Sequence, residues 1–208
     1  MNFFGHAIVA AWSDKQPGHL LGSMLPDFEA MVRVPLIEVC DPDIQRGVDL
    51  HHRTDRAFHR APTFHALCQY TLAELTDAGV RRGTARAVGH IGSELFLDGW
   101  LADEQAHVDD YLTALRVGLD GQLRWQDDGD AFAKLQQRLL VWGAPFEYAE
   151  PPFVLARLGD ALRLRPALSI LSEHIDRVAE FLPSLQRMVA RKGPELLHEL
   201  RDALDCRN

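Results

Sequence analysis

The 208 residues are 47% hydrophobic and 25% charged, which supplies enough apolar material for a core and excludes disorder, a collagen-like fibre and a disulfide scaffold. Lys and Arg number 22 against 30 Asp and Glu, a net charge of −8, the wrong sign for binding nucleic acid by neutralising phosphates. Cys40, Cys68 and Cys206 stand far apart with no CxxC, so neither a zinc-finger pattern nor an even disulfide set can be written, and a reducing compartment is expected.

The opening Met1-Asn2-Phe3-Phe4-Gly5-His6 lacks the basic start of a secretory signal. No apolar run reaches the roughly 18–20 residues that span a bilayer, so a cytoplasmic location with no membrane partner is expected. Asp41 followed by Pro42 reads as an N-cap with proline at the first helical position, and predicts a helix to about His59, ended before Pro62. A second helix is expected over residues 63–78, with Gly79 just past its end. A third, over 84–102, carries Val88, Ile91, Leu95 and Leu101 at roughly helical spacing. Further amphipathic stretches cover 103–117, 130–142, 152–164, 167–190 (interrupted or bent at Pro183) and 194–204. Residues 118–129, rich in Asp and Gly, and 143–152, with Pro145, Pro151 and Pro152, read as exposed loops. Strand-like alternation is scarce, and no linker or repeat divides the chain. The expected fold is all-α, a single compact helical bundle over 1–208.

Two helices carry a stripe of metal-ligand residue types. The first places His51, Asp55 and His59 at i, i+4 and i+8, and the third repeats the offsets with His90, Glu94 and Asp98. Residues so spaced share a side of the helix, with a drift of about 40° per step. Imidazole and carboxylate from facing helices can converge on one cation at roughly 2.0–2.2 Å. Nitrogen and oxygen donors without thiolate suit Zn, Mn, Fe or Ni, a choice the sequence leaves open. His51, Asp55, His90 and Glu94 are therefore expected in one cavity, because buried imidazoles and carboxylates require partners. A non-catalytic metal-binding or structural protein, with the stripes as internal polar networks, is the alternative at this point. Gly89, Gly92 and Gly99 each cost a helix interior about 1 kcal/mol relative to Ala, and close helix contact is the expected compensation.

Certain segments carry a resemblance. The start Met1-Asn2-Phe3-Phe4-Gly5-His6, the segment Gly22-Ser23-Met24-Leu25-Pro26-Asp27-Phe28, the helix Gly47 through Asp55, and Glu94-Leu95-Phe96-Leu97 resemble motifs of the acyl carrier protein phosphodiesterases, divergent relatives of the HD-type metal phosphohydrolases. Asp49 stands where that family has its first histidine, and Glu94-Leu95 replaces its Asp-His pair; His52, His59, His90 and Asp98 are extra polar residues. The resemblance implies an HD-domain-like fold and a divalent metal; together with the two stripes it makes His51, Asp55, His90 and Glu94 the expected ligands, with His6, Asp27 and His52 as further ones. It also implies hydrolysis of a phosphodiester, with Asp55 and Glu94 in the catalytic set. Arg53 and Arg163 are candidates for holding phosphate oxygens, since guanidinium offers paired donors. The implied substrate is holo acyl carrier protein, cleaved to release 4′-phosphopantetheine, or a small phosphodiester. An acidic carrier needs a basic patch, which Arg157, Arg163, Arg165, Arg187, Arg191 and Lys192 could supply. A looser likeness joins His6 and the segment Gly22 to Asp27 to zinc-dependent phospholipase C-like proteins.

Overall fold

The computed structural model describes residues 1–118, 121–127 and 129–205; Cys206 and part of the expected 118–129 loop lie outside the described residues. The described elements are α1 (Phe3–Ala10), α2 (Pro17–Val32), β1 (Leu36–Val39), α3 (Pro42–Phe58), α4 (Pro62–Asp77), α5 (Arg82–Leu101), α6 (Gln105–Leu115), β2 (Leu123–Trp125), α7 (Asp130–Trp142), α8 (Pro151–Leu162) and α9 (Ile175–Asp205). The fold is all-α, with β1 and β2 as a small antiparallel pair. Among the described residues no helix is long and apolar enough to cross a membrane. The chain divides into two compact units, and the division falls inside α3 after Arg56 and inside α5 after Trp100.

The first unit comprises Met1–Arg56 and Leu101–Pro145. Every residue of α1 is buried, and the helix packs on α2 and α6. Phe4 and Tyr111 meet edge to face at 5.1 Å, and Phe28 joins Phe3 at 5.7 Å and Phe132 at 6.1 Å. Asp41 caps α3 as its sequence suggests, its Oδ1 accepting from the amides of Asp43 at 2.8 Å and Ile44 at 3.0 Å. α2 crosses α3 at two glycines. A Cβ at Gly22 would lie 2.0 Å from the carbonyl oxygen of Ile44, and one at Gly47 would lie 2.2 Å from that of His19. No other residue permits this approach, which seats Asp27 of α2 and His51 of α3 side by side. β1 and β2 pair Leu36 with Trp125 and Val39 with Leu123. Within the expected 118–129 loop, β2 and the buried Trp125 depart from the reading, while Gly118, Gly121, Arg124 and Gln126 are exposed as expected.

The second unit comprises Ala57–Trp100 and the chain from Phe146 onward, and packs α4 and α8 on α9. Glycines again mark close approaches: a Cβ at Gly89 would lie 3.0 Å from Cβ of Thr71, and one at Gly99 only 2.4 Å from the backbone of Tyr148. The expected compensation for glycine in α5 is therefore present. Of the two expectations at Pro183 the interruption is absent, as is the separate helix from Pro194; α9 is one helix of 31 residues with both prolines inside it. Its stripe Val178, Leu182, Leu185, Val189, Leu196 and Leu200 is buried across both prolines. Fully burying one such side chain contributes about 1.5–3 kcal/mol, and the row together outweighs about 3 kcal/mol per proline. The expected start of this helix near 167 is also displaced. Carbonyls of Pro166 and Ser169 accept instead from Arg81 at 3.2 and 2.8 Å, and Thr84 donates to Ser169 at 2.9 Å, so they hold a turn.

Candidate metal centres

Of the residues expected as metal ligands, His6, Asp27 and His51 gather in one group in the first unit, and His90 and Glu94 gather with His59 in a second group in the second unit. In each group one ligand atom per residue lies within 4.8 Å of the others.

In the first group α1 supplies His6, α2 Asp27 and α3 His51, joined by the glycine crossing described above. The two imidazoles stack with centroids 3.9 Å apart and an interplanar angle of 28°. His51 Nδ1 lies 2.9 Å from the carbonyl oxygen of Ser23; a carbonyl only accepts, so Nδ1 carries the proton and Nε2 keeps its lone pair. Burial pushes the His51 pKa down to about 4, against the opposing pull of the Ser23 carbonyl and the Asp55 charge, so the ring is neutral at pH 7. A second nitrogen anchored to a backbone carbonyl is the usual support of a metal-ligating histidine. Asp55 borders this group: its Oδ1 is 3.9 Å from His6 Nε2 and accepts from the Met1 amino group at 3.2 Å. His52 points elsewhere; it is exposed, its ring edge-on to His51 at 5.4 Å.

The second group joins His59, immediately past the end of α3, to His90 and Glu94 on successive turns of α5. The Nε2 atoms of His59 and His90 are 3.2 Å apart, and each is 3.3 Å from Glu94 Oε1. Four donors at 2.0–2.1 Å around a tetrahedral ion stand about 3.3–3.4 Å from one another. The triangle therefore has the dimensions of one face of such a site. Phe64 of α4 stands edge-on to both rings, at 5.5 Å from His59 and 5.3 Å from His90. Burial acts to raise the Glu94 pKa, but positive charge and the hydrogen bonds of His59 and His90 outweigh it and hold the carboxyl well below the usual range. Glu94 is thus ionised. Side-chain exposures of 32% for His59 and 44% for His90 against 15% for Glu94 make the two imidazoles the more exposed members of the triangle. The thiol of Cys68 is pushed up to about 11 by burial and by the Glu94 charge, so it stays protonated.

Asp98, the last member of the α5 stripe, is fully buried and belongs to neither group, while Arg53 and Arg163 are exposed. Spacing placed His59 in the α3 stripe, but the resemblance did not select it as a ligand. The convergence of His6, Asp27 and His51 joins three helices and left no mark in local spacing. Compared with known proteins, the chain matches no family model, no curated protein and no solved structure.

Proposed function

We propose that this protein is a metal-dependent hydrolase of phosphodiesters, sharing the chemistry of the acyl carrier protein phosphodiesterases that its sequence motifs resemble. The observation that carries the reading is the triangle of His59, His90 and Glu94, with donor spacings of 3.2 and 3.3 Å. Three protein donors, two of them on partly exposed imidazoles, fit a site that keeps a position free for water or substrate, as hydrolytic rather than purely structural centres do. A divalent ion there supplies the Lewis acidity that activates water and offsets charge on phosphoryl oxygens. Glu94 contributes the negative charge; His59 and His90 contribute imidazole nitrogens. His6, Asp27 and His51 form a second donor set, with the tautomer of His51 already selected by Ser23. Asp55, its side chain 38% exposed, is the proposed proton acceptor beside that group. Arg53 and Arg163 are the proposed phosphate contacts, and Zn, Mn, Fe and Ni the proposed ions, with the mixed nitrogen and oxygen donors as support.

The test is metal analysis of protein purified without a histidine tag, followed by assays with holo acyl carrier protein and a bis-aryl phosphodiester in Zn, Mn, Fe and Ni. Bound metal that falls in Glu94→Gln and Asp27→Asn, together with turnover of either substrate, is the expected result. Stoichiometric metal without turnover would favour a non-catalytic metal protein. Wild-type protein that binds none of the four ions would overturn the reading.

A further inference from the structure

Ser184, Arg187, Met188 and Arg191 follow one another at i, i+3, i+4 and i+7 on α9 and so share one face of that helix. Together with Tyr70 of α4 they line an open cavity of about 500 Å³ in the second unit. No carboxylate lines it. Some cations of this chain are neutralised by a carboxylate, as Lys15 is by Asp110, Arg46 by Asp14, Arg124 by Glu38 and Lys192 by Glu195; the two that line this cavity are not. Among the described residues Arg187 and Arg191 have no carboxylate within ion-pair distance. Arg187 instead donates to Ser184 Oγ at 2.9 Å, which draws its guanidinium along the cavity wall. Like charges four residues apart on a helix repel each other by a few tenths of a kcal/mol, and an anion between them reverses that sign.

We propose that this cavity binds a phosphate monoester. Its two negative charges match the two guanidiniums, whose forked donors suit phosphate oxygens, and the hydroxyls of Ser184 and Tyr70 add neutral donors. A bare phosphate ion leaves most of the volume empty. The ring of Tyr70, held against Phe181 at 5.9 Å, and the thioether of Met188 form an apolar wall for the organic part of the ligand. Either a soluble phosphorylated metabolite or a phosphorylated lipid headgroup presents this chemistry. The inference is independent of the metal centres and of the hydrolytic reading.

Calorimetry with the full chain in EDTA, so that no metal contributes, tests it with phenyl phosphate, inorganic phosphate and benzoate as probes, and with phosphatidate-containing and neutral vesicles in a sedimentation arm. One-to-one binding of phenyl phosphate, tighter than inorganic phosphate or benzoate, is expected. Arg187→Gln and Arg191→Gln each weaken it about tenfold, the loss of one charge-assisted contact, and Tyr70→Leu removes the advantage of phenyl phosphate over inorganic phosphate. Sedimentation with phosphatidate vesicles alone, lost in both arginine variants, would assign the monoester to a lipid source. Binding of neither phenyl phosphate nor phosphatidate vesicles, or equal binding by wild type and the Arg187→Gln/Arg191→Gln double variant, would overturn the proposal. Both arginines are exposed, so the variants fold, and unchanged circular dichroism verifies it.

Discussion

Replacing Gly22 by alanine opposes two effects of known sign. Alanine is the better helix former by about 1 kcal/mol, and it lowers the entropy of the unfolded chain. Against this, the new Cβ would stand 2.0 Å from the carbonyl oxygen of Ile44, 2.8 Å from its carbon and 3.0 Å from Cα of Gly47. Ordinary C···O contact begins at about 3.3 Å, so α2 and α3 must part by more than about 1 Å. The obstacle is backbone, which cannot rotate aside as a side chain does. Overpacking of this kind costs about 3 kcal/mol, the upper end of the usual range, and the net expectation for Gly22→Ala is a loss of about 2 kcal/mol. Gly159, exposed in α8 with nothing within 4 Å of its virtual Cβ, isolates the helix-propensity term: Gly159→Ala should gain about 0.5–1 kcal/mol. Urea unfolding of metal-free wild type and both variants measures the three stabilities. Movement of both variants in the same direction, or Gly22→Ala as stable as wild type, would refute the argument that backbone contact at the crossing dictates glycine.

Glu199 accepts from the Thr63 amide through both oxygens, at 3.1 and 3.3 Å, and from the Thr63 hydroxyl at 2.8 Å; Glu199→Ala should cost about 1–3 kcal/mol, and a loss below about 0.5 kcal/mol in urea unfolding would contradict it. Asp41→Ala should cost about 1 kcal/mol and Asp41→Asn far less, because asparagine caps equally well; equal thermal shifts for the two would show that Asp41 acts other than as a cap. His51 is neutral in the fold, its pKa lowered to about 4 by burial, whereas the unfolded chain titrates near 6.5. Its contribution is intact above about pH 6.5, is lost as pH falls toward 4 and amounts at full loss to about 3 kcal/mol. The unfolding free energy of metal-free protein between pH 7.5 and 4.5 should therefore fall less steeply in His51→Gln than in wild type, and parallel slopes would be evidence against it.

What the sequence by itself determined were the features written over a few neighbouring residues. The Asp41-Pro42 start of α3, the span of α7 and the extents of α4 and α5 to within two residues are of this kind, because capping and a 3.6-residue apolar period act over one or two turns. Both stripes, including His59, were legible for the same reason. The tertiary structure alone decided how those stripes divide. His51 and His59 lie on one stripe, yet His51 joins His6 and Asp27 through a crossing set by Gly22 and Gly47, while His59 joins the α5 pair. It also decided that α9 runs through Pro183 and Pro194, where burial of a long apolar row outweighs a local penalty, and that 166–169 form a turn whose carbonyls are taken by Arg81 and Thr84. Each depends on partners distant in sequence, whose contribution no local propensity contains.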